Sequence, residues 1–466
     1  MKSTLQPAAF LSPCDFGAKG DGSTKDTRAV QAAFDAAHAQ GGGTVFFPPG
    51  TYLCGTLRLR SRVSVQIGPG ATLKGSPEAA DYEFIKPEVW SRMDTTVFRS
   101  FIFGEDLEEV TLCGDGTIDG GGAAPEFSVK PVDNDPNRPY CLHLANCKRV
   151  TVRDLRLQNS AFWMQRYLHC DDVRITGLRN FNHSTFNNDG IDIDSSSNVT
   201  ISDCIFDVSD DAICLKSEGR GVTRNVVVTN CVLATHASAI KLGTGSVGGF
   251  ENVVVSNCVI RPSQSTANVH ALVAWGLEAH GGLTGIDLAA VDGGTLRHCL
   301  FSNIVMEGVE SPFCLRLGNR NSSKMESTYG ACADEIQEER FSRLEHIVFD
   351  NIDARDLGPY TSPITGFAGH PIRDITFRNI TLRNTRPPKP EEQAKPYERN
   401  TRSYPGSRST GHIPSSGFFF DWVEGVNLEN IRVYAAGGDA RPVYEFRNAK
   451  DVAIDREPFT PAPSPQ

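Results

Sequence analysis

Three segments share one pattern: Asn198-Val-Thr-Ile-Ser-Asp-Cys-Ile-Phe206, Asn225-Val-Val-Val-Thr-Asn-Cys-Val-Leu233 and Asn252-Val-Val-Val-Ser-Asn-Cys-Val-Ile260. Each has an asparagine, an apolar-x-apolar run, and an Asn or Asp before a cysteine. Working outward, the anchoring valines follow steps of 23, 26, 27 and 27 residues, at Val150, Val173, Val199, Val226 and Val253. The second half of this pattern, an Asn followed by an apolar residue, occurs again at Asn303-Ile304, Asn351-Ile352, Asn379-Ile380 and Asn430-Ile431. A period of 20 to 30 residues built from short strands indicates a solenoid.

The period holds three short strands separated by turn residues. One such coil cannot bury its apolar side chains alone, so it must stack on its neighbours. The sequence therefore predicts an all-β fold, a right-handed single-stranded parallel β-helix that occupies 1–466 as a single domain, with regular coils over 146–455. Residues 386–416 lack the repeat and hold six prolines, and we interpret them as a long loop.

The N-terminal part predicts a cap. Val30, Ala33, Phe34 and Ala37 recur at helical spacing until three glycines at 41–43, and Asp26 is the N-cap candidate. We expect a short helix over 26–39 that covers the apolar end of the first coil. Residues 14–60 would form this cap and the first coils.

Composition excludes several function classes. The formal charge of −10 disfavours nucleic-acid binding, and no apolar run is long enough to span a bilayer. An anionic substrate would need a local cationic patch.

The cysteines and the N-terminus bear on the compartment. Among the 13 cysteines, those in strand-like segments show no CxxC spacing, which disfavours a zinc site. We interpret them as buried thiols, which favours a reducing compartment. No secretory signal is visible in 1–13, which suggests the cytoplasm, or a secreted or periplasmic location if a signal was removed.

Acidic residues on two consecutive coils predict the chemistry. The segments are Asn187-Asn-Asp-Gly-Ile-Asp-Ile-Asp194 and Ser209-Asp-Asp-Ala-Ile-Cys-Leu-Lys216. Aligning their apolar pairs places Asp189 beside Asp211, with backbones about 4.8 Å apart. Asp210 is displaced by one residue.

Three such carboxylates would repel one another unless one is protonated or the group transfers protons. An inverting glycosidase needs one carboxylic acid to protonate the leaving oxygen and carboxylate on the other side to activate water. We assign Asp210 as the acid, and Asp189 with Asp211 as the water-activating pair. The alternative is turn aspartates that bind backbone amides, which we accept for Asp192 or Asp194.

These residues carry a resemblance. Asn187-Asn-Asp-Gly followed by Asp210-Asp211 resembles the catalytic signature of glycoside hydrolase family 28, the polygalacturonases and rhamnogalacturonan hydrolases, and 15–52 resembles the cap of pectin-degrading β-helix enzymes. The resemblance implies a pectin-lyase-like parallel β-helix, inversion of configuration, no metal or other cofactor, and roles for the matched aspartates like those above.

Two of the family's motifs differ here. Where the family has Gly-His-Gly, register from Leu242-Gly243 puts Ser238 in the place of the histidine, and His236 lies two residues earlier, hence on the same strand face. His236 is therefore a catalytic candidate. The Arg-Ile-Lys motif, which grips a galacturonate carboxylate, is absent from the expected region, 269–288. Rhamnogalacturonan hydrolases resemble this chain in lacking both features.

Other cations are candidates for substrate binding. Strand parity points Lys216 and Lys241 outward beside the aspartates, with a salt bridge to Asp192 or Asp194 as the alternative. Arg316 and Arg320 lie on a later coil, and their planar guanidinium groups suit uronate carboxylates. The aromatic side chains that could stack on sugars are Trp163, Trp275 and Trp422, although such residues are more often core.

The sequence thus predicts an inverting hydrolase of an α-glycosidic bond in pectic polysaccharide or its oligosaccharides, of galacturonide or rhamnogalacturonan type. One alternative is a β-helix polysaccharide lyase that uses Ca²⁺ with a basic residue. Another is a non-catalytic carbohydrate-binding β-helix of adhesin or tailspike type, which would have no reason to crowd like charges. The exact substrate, endo or exo action and the oligomeric state are left open.

Overall fold

The computed structural model describes residues 9–91, 97–127, 137–265, 281–320, 341–398, 400–402, 404–407 and 411–459. Within them every strand except the last pairs in parallel with the equivalent strand of a neighbouring coil, from the first coil to the last. The stacked coils form the predicted β-helix, and the apolar side chains between them make one continuous core. Across these ranges no helix has the length and apolar character that a membrane span requires.

Three parallel sheets make up the wall of the β-helix. Sheet A begins with β1 Ala9–Leu11, β3 Gly43–Phe47, β6 Val63–Ile67, β9 Glu108–Cys113, β12 Lys148–Arg153, β15 Asp171–Thr176, β18 Ser197–Ser202 and β21 Thr223–Thr229. Sheet B begins with β2 Asp21–Lys25, β4 Gly50–Cys54, β7 Ala71–Gly75, β10 Thr117–Asp119, β13 Arg156–Gln158, β16 Arg179–Asn182, β19 Ile205–Val208 and β22 Val232–Thr235. Sheet C begins with β5 Leu57–Arg58, β8 Ser100–Glu105, β11 Tyr140–Ala145, β14 Gln165–Leu168, β17 Ile191–Asp194, β20 Ile213–Ser217, β23 Ser238–Ser246, β25 Thr284–Ala290, β27 Ser311–Leu317 and β29 Ser362–Thr365.

Longer strands complete the sheets toward the C-terminus. Strands β24 Phe250–Arg261, β26 Thr295–Glu307, β28 Arg343–Leu357 and β30 Ile372–Asn384 continue from sheet A into sheet B. Strands β31 Phe418–Tyr434 and β32 Tyr444–Ile454 start in sheet C, and β33 Glu457–Phe459 pairs antiparallel with β32. In the part of the chain that the structure describes, the helices are α1 Thr27–Ala39 and α2 Pro390–Gln393, with short 3₁₀ turns at Pro13–Phe16, Ala79–Asp81 and Pro125–Phe127.

The valine repeat sets the register of sheet A, as predicted. Val150, Val173, Val199, Val226 and Val253 are partners on successive strands, and each is at most 1% exposed. A fixed period in the sequence therefore corresponds to one full coil.

The repeated asparagines form the turns between sheets A and B. Asn257 and Asn303 have φ of 55° and 54°, in the left-handed region that asparagine tolerates better than most residues. Their side chains also stack, because the Asn303 amide donates to Asn257 Oδ1 at 3.2 Å and the Asn351 amide donates to Asn303 Oδ1 at 2.8 Å. The amide that permits the turn thus also links one coil to the next.

Helix α1 covers the first coil with the predicted face, since Val30, Ala33, Phe34 and Ala37 are all buried against β1 and β3. Asp26 does precede the helix, but its side chain makes no capping hydrogen bond to it. Its carboxylate instead accepts from the backbone N–H groups of Lys19 and Gly20, at 2.8 and 2.9 Å. Asp26 therefore occupies the predicted N-cap position, while its carboxylate binds the glycine-containing turn before the helix instead of the helix amides.

Two other expectations concern the cysteines and the long loop. All cysteines in the described ranges are free thiols, and all of them except Cys14 are buried. The long loop connects β30 to β31 and carries α2. Part of it, residues 400–402 and 404–407, returns across sheet C, and we call this part the strap.

Candidate active site

The two acidic segments meet as the apolar alignment predicts. Strands β17 and β20 pair Ile191 with Ile213 and Ile193 with Leu215. The N–H of Gly190 donates to the carbonyl oxygen of Asp211 at 2.9 Å, which places Asp189 alongside Asp211. Carboxylate oxygens of these two aspartates lie within 4.8 Å of each other and of the Cys214 sulfur.

Asp210 differs from the other two aspartates in exposure. Its side chain is half-buried, whereas Asp189 and Asp211 are only 2% and 3% exposed. Asp210 Oδ1 accepts from the N–H of Asp211 at 3.0 Å, and the Asn187 amide donates to Oδ2 at 3.4 Å. Asp210 is thus the carboxyl group of the cluster that a substrate oxygen reaches most readily.

Burial and mutual repulsion perturb the acidity of this cluster. Burial, reinforced by the charge of Asp211, raises the pKa of Asp210 to about 6, although Lys241 and Lys216 oppose the change. Burial also raises the pKa of Asp189 well above its usual range, with further contributions from Asp192 and Asp210. In mildly acidic solution the cluster therefore holds protons that ordinary aspartates would have lost.

Asp211 has the strongest cationic partner of the three. The Lys241 ammonium donates to Asp211 Oδ2 at 2.7 Å, and the Ser238 N–H donates to Oδ1 at 3.1 Å. Both contacts stabilise a negative carboxylate. The site therefore combines one carboxylate held by a cation with two carboxyl groups that favour the protonated state.

Lys241 points outward from sheet C, as strand parity predicts, but it is enclosed in an ion pair. Its side chain is 6% exposed, and Nζ also donates to the Tyr404 hydroxyl at 2.9 Å. Burial opposes the charged form, yet Asp211 and Tyr404 raise the pKa of Lys241 well above its usual range. Its observed partner is Asp211, so neither Asp192 nor Asp194 binds it as the alternative supposed.

Lys216 also points outward beside the aspartates. Its Nζ lies 3.3 Å from Asp192 Oδ1, which is the salt bridge considered as the alternative. The same ammonium lies 3.2 Å from the Cys214 sulfur and 4.5 Å from the centre of the Trp163 ring. Trp163 is only 5% exposed, so its ring packs against the lysine and does not form an open sugar-binding surface.

The two arginines have different surroundings. Arg320 forms a buried two-point ion pair with Asp292, at 2.8 and 2.5 Å. Arg316 donates to the carbonyl oxygen of Asn400 in the strap. It also lines a small open cleft together with Thr365 and Tyr397. Of the two, Arg316 is the cation that borders open space.

His236 does not share a strand with Ser238, so the parity argument for it is wrong. Strand β22 of sheet B ends at Thr235, and β23 of sheet C begins at Ser238, which leaves 236–237 in the turn between sheets. The His236 ring is fully buried, and its centre lies 5.3 Å from that of His183, which binds Asp207 at 2.9 Å. Ser238 instead contacts the cluster directly, through Asp211.

Sequence reasoning missed Asp287 and Tyr404. Asp287 of β25 is the register partner of Lys241, and the Ser238 hydroxyl donates to it at 3.3 Å. Burial raises its pKa to about 6. A signal was present, because Gly285-Ile-Asp287 repeats the Gly190-Ile-Asp192 tripeptide. Tyr404 carried no such signal, since it lies in the loop without a repeat.

Two further sequence expectations fall wholly or partly outside the described residues. Trp275 lies there, as does 269–280 of the region where Arg-Ile-Lys is expected. Trp422 lies in β31 with a φ of 53°, where the chain turns from sheet C toward sheet A.

Among the described residues, the groups that could hold a metal ion are the oxygens of Asp189 and Asp211 with the Cys214 sulfur. Two ammonium groups already lie among them, Lys241 on Asp211 and Lys216 on Cys214. A divalent ion would therefore have to approach two fixed positive charges, which costs Coulomb energy in a buried site. The donor set suits proton transfer better than metal binding.

A parallel β-helix that gathers three carboxyl groups just before two neighbouring strands of sheet C, with raised pKa values for Asp189 and Asp210, has the features of a carbohydrate-active β-helix protein. The family model for glycosyl hydrolases family 28 matches residues 43–384. The chain therefore belongs to glycosyl hydrolase family 28, which confirms the resemblance.

Comparisons with individual proteins agree with this assignment. A probable polygalacturonase of Vitis vinifera is 31% identical over 219 residues, which cover 45% of this chain and 45% of that protein. The match thus spans less than half the length of that relative. Exopolygalacturonase structures from Thermotoga maritima and Yersinia enterocolitica align with TM-scores of 0.63 and 0.68, both at 18% identity. They cover 97% of this chain, and 93% and 80% of theirs, and establish the fold.

Proposed function

We propose that this protein is an inverting glycoside hydrolase that cleaves an α-glycosidic bond in pectic polysaccharide or its oligosaccharides. The observation that carries the proposal is the unequal environment of Asp210 and Asp211. Asp210 is half-buried with a pKa raised to about 6, whereas Asp211 is held by Lys241 at 2.7 Å. Pairs of carboxyl groups whose surroundings separate their acidity divide acid and base roles between them.

In the proposed reaction Asp210 donates its proton to the glycosidic oxygen as the bond from that oxygen to the anomeric carbon breaks. Asp211 accepts a proton from the water that attacks the opposite face of that carbon. The products are a sugar with inverted anomeric configuration and the freed leaving sugar. The Asp210 proton leaves with the alcohol, and the water proton remains on Asp211 until the site is reset.

Asp189 would orient this water. One of its carboxyl oxygens lies within 4.8 Å of one oxygen of Asp211, so a single water can contact both groups. Because its pKa is raised well above the usual range, Asp189 can act as a hydrogen-bond donor while Asp211 accepts. The predicted pair is thus retained with distinct roles for its two members.

The cations of the site favour a substrate whose leaving sugar is neutral. Lys216, Lys241 and Arg320 are each bound to a carboxylate of the protein. A uronate placed beside them would compete with those carboxylates, and a buried charge that lacks its partner costs several kcal/mol. Rhamnogalacturonan fits this site better than unbranched homogalacturonan, with Arg316 as the cation nearest to open space. Of the two locations considered, a secreted or periplasmic one suits a polymeric substrate.

The lyase alternative requires a basic side chain that abstracts a carbon-bound proton. The outward lysines beside the cluster carry raised pKa values, which keeps both of them protonated and unsuited to that task. An unsaturated product that disappears on chelation would nevertheless favour a lyase over a hydrolase.

The test is hydrolysis of rhamnogalacturonan and homogalacturonan fragments, with reducing-end detection and NMR of the first anomer released. Asp210→Asn should lower kcat by about 10²- to 10⁴-fold, because it removes a general acid without changing side-chain volume. The matched control is Asp353→Asn, which removes an exposed carboxylate bound to Arg383 in sheet B. Retention of configuration, or near-normal activity in Asp210→Asn, would refute the proposal.

A further inference from the structure

The strap lies directly on three consecutive strands of sheet C. Lys241 of β23 binds Tyr404, the Thr284 hydroxyl of β25 donates to Ser407 at 3.3 Å, and Arg316 of β27 binds Asn400. These contacts follow one another along the axis of the β-helix, beside the proposed catalytic cluster. The strap therefore occupies a fixed position on the groove rather than a remote surface.

The backbone of the strap also lies close to the backbone that follows β27. The N–H of Asn319 donates to the Thr401 carbonyl oxygen at 2.8 Å. A Cβ at Gly318 would lie 2.8 Å from that same oxygen, so a larger residue there would push the strap away. Pro405 follows Tyr404 and restricts its backbone to extended conformations, which limits the positions that the tyrosine can take.

Tyr404 stands out because it remains exposed among buried neighbours. Its side chain is 40% exposed, whereas Lys241, Asp287 and Arg316 beneath the strap are 5%, 2% and 4% exposed. Its hydroxyl is the inner end, bound by Lys241 Nζ at 2.9 Å, and the ring centre lies 5.4 Å from the same atom. The ring is therefore anchored at one end and open to solvent on its side.

Tyr404 and Asp211 share one partner, the Lys241 ammonium. Lys241 Nζ is 2.7 Å from Asp211 Oδ2 and 5.4 Å from the centre of the Tyr404 ring. The C–H face of a pyranose is apolar, so it packs well on an aromatic ring that is already ordered. Tyrosine loses little conformational entropy on such binding because it has only two rotatable side-chain bonds.

From these contacts we infer that the strap forms one wall of the sugar-binding cleft, and that Tyr404 contacts the substrate by stacking on the sugar next to Asp211. This inference rests on the proposed hydrolase function and deepens it. The hydroxyl of Tyr404 fixes the ring through Lys241, and the ring supplies the binding surface. A sugar substituent that blocks the C–H face would be rejected at this position.

Three variants separate the contribution of the Tyr404 ring to substrate binding from that of its hydroxyl. Tyr404→Phe keeps the ring, Tyr404→Leu keeps bulk without aromaticity, and Tyr404→Ala removes both. We expect KM to rise about tenfold in the Leu and Ala variants and less than threefold in the Phe variant, since tenfold corresponds to about 1.4 kcal/mol of lost contact. The matched control is Tyr434→Ala. Tyr434 is 54% exposed and lies 5.4 Å from the Arg383 guanidinium, but it ends β31 away from sheet C.

Binding without turnover distinguishes failure of this inference from failure of the proposed function. Isothermal titration of trigalacturonate and of a rhamnogalacturonan tetrasaccharide is carried out on Asp210→Asn and on Asp210→Asn/Tyr404→Leu. Loss of affinity in the double variant supports the inference. Equal affinity of both proteins for a bound oligosaccharide overturns it, as does a Phe variant as impaired as Leu. Absence of binding to either protein overturns the pectic function itself and the inference with it.

Discussion

Replacing Lys241 by methionine tests how Asp211, the proposed catalytic base, is bound. The ammonium is 2.7 Å from Asp211, and the two residues are 5% and 3% exposed. Methionine fills a similar volume without charge and leaves the Asp211 carboxylate buried without its cation. Breaking a buried pair in this way costs about 3–5 kcal/mol of the free energy of unfolding.

The same change should alter the acidity of the cluster. Lys241 opposes the raised pKa of Asp210 and that of Asp287, so both carboxyl groups should keep their protons to higher pH without it. We expect the limb on which kcat/KM falls with rising pH to move to higher pH, because Asp210 keeps the proton that it donates. Loss of the cation that binds Asp211 should also lower kcat/KM by about 10²-fold or more.

Urea denaturation and a pH profile of kcat/KM measure these two effects. Lys25→Met is the matched control, since Lys25 binds Glu78 and Asp81 at 2.8 Å on the exposed surface and should change neither quantity appreciably. Lys241→Met/Asp211→Asn should recover stability but not activity, because it removes both charges together. An unchanged pH profile in Lys241→Met, with stability equal to that of the control, would refute the assignment of Lys241 to Asp211.

Three other predictions follow from the acidity and charge of the groove. Wild-type kcat/KM should fall as pH rises through about 6, because Asp210 loses the proton that it donates; a profile that stays flat through this range would contradict its role as the acid. The pKa of Asp287 is raised by burial to about 6, so folding takes up a proton and stability falls between the unfolded pKa of Asp and about pH 6. Asp287→Asn should flatten that slope in urea titrations at several pH values, and an equal slope would count against it. Arg316→Ala should raise KM for homogalacturonan fragments more than for rhamnogalacturonan, and a tenfold wild-type preference for homogalacturonan would contradict the proposed specificity.

The fold could be predicted because its information is local and periodic. Val199, Val226 and Val253 recur at one step, and a solenoid brings residues one step apart into contact. The position of Asp189 beside Asp211 follows from the same rule, since the apolar pairs of β17 and β20 fix the register.

Other features could not be predicted, since they depend on where strands end and where loops return. The assignment of His236 assumed that it shares a strand with Ser238, but the turn at 236–237 lies between sheets B and C. Strand parity gave the direction of Lys241 but not its partner. Tyr404 reaches that lysine from 163 residues away along the chain, through a loop with no repeat.

The pairing of the groove lysines with the protein's own carboxylates bears on how quickly a polymer is captured. A net charge of −10, with Lys216 and Lys241 already in contact with Asp192 and Asp211, offers an approaching polyanion no long-range attraction. Encounter is then slowed by repulsion between like charges, and added salt should accelerate it by shortening the Debye length. Substrate capture by such an enzyme should become faster at high ionic strength, whereas capture by an enzyme that attracts its substrate with unpaired cations should become slower.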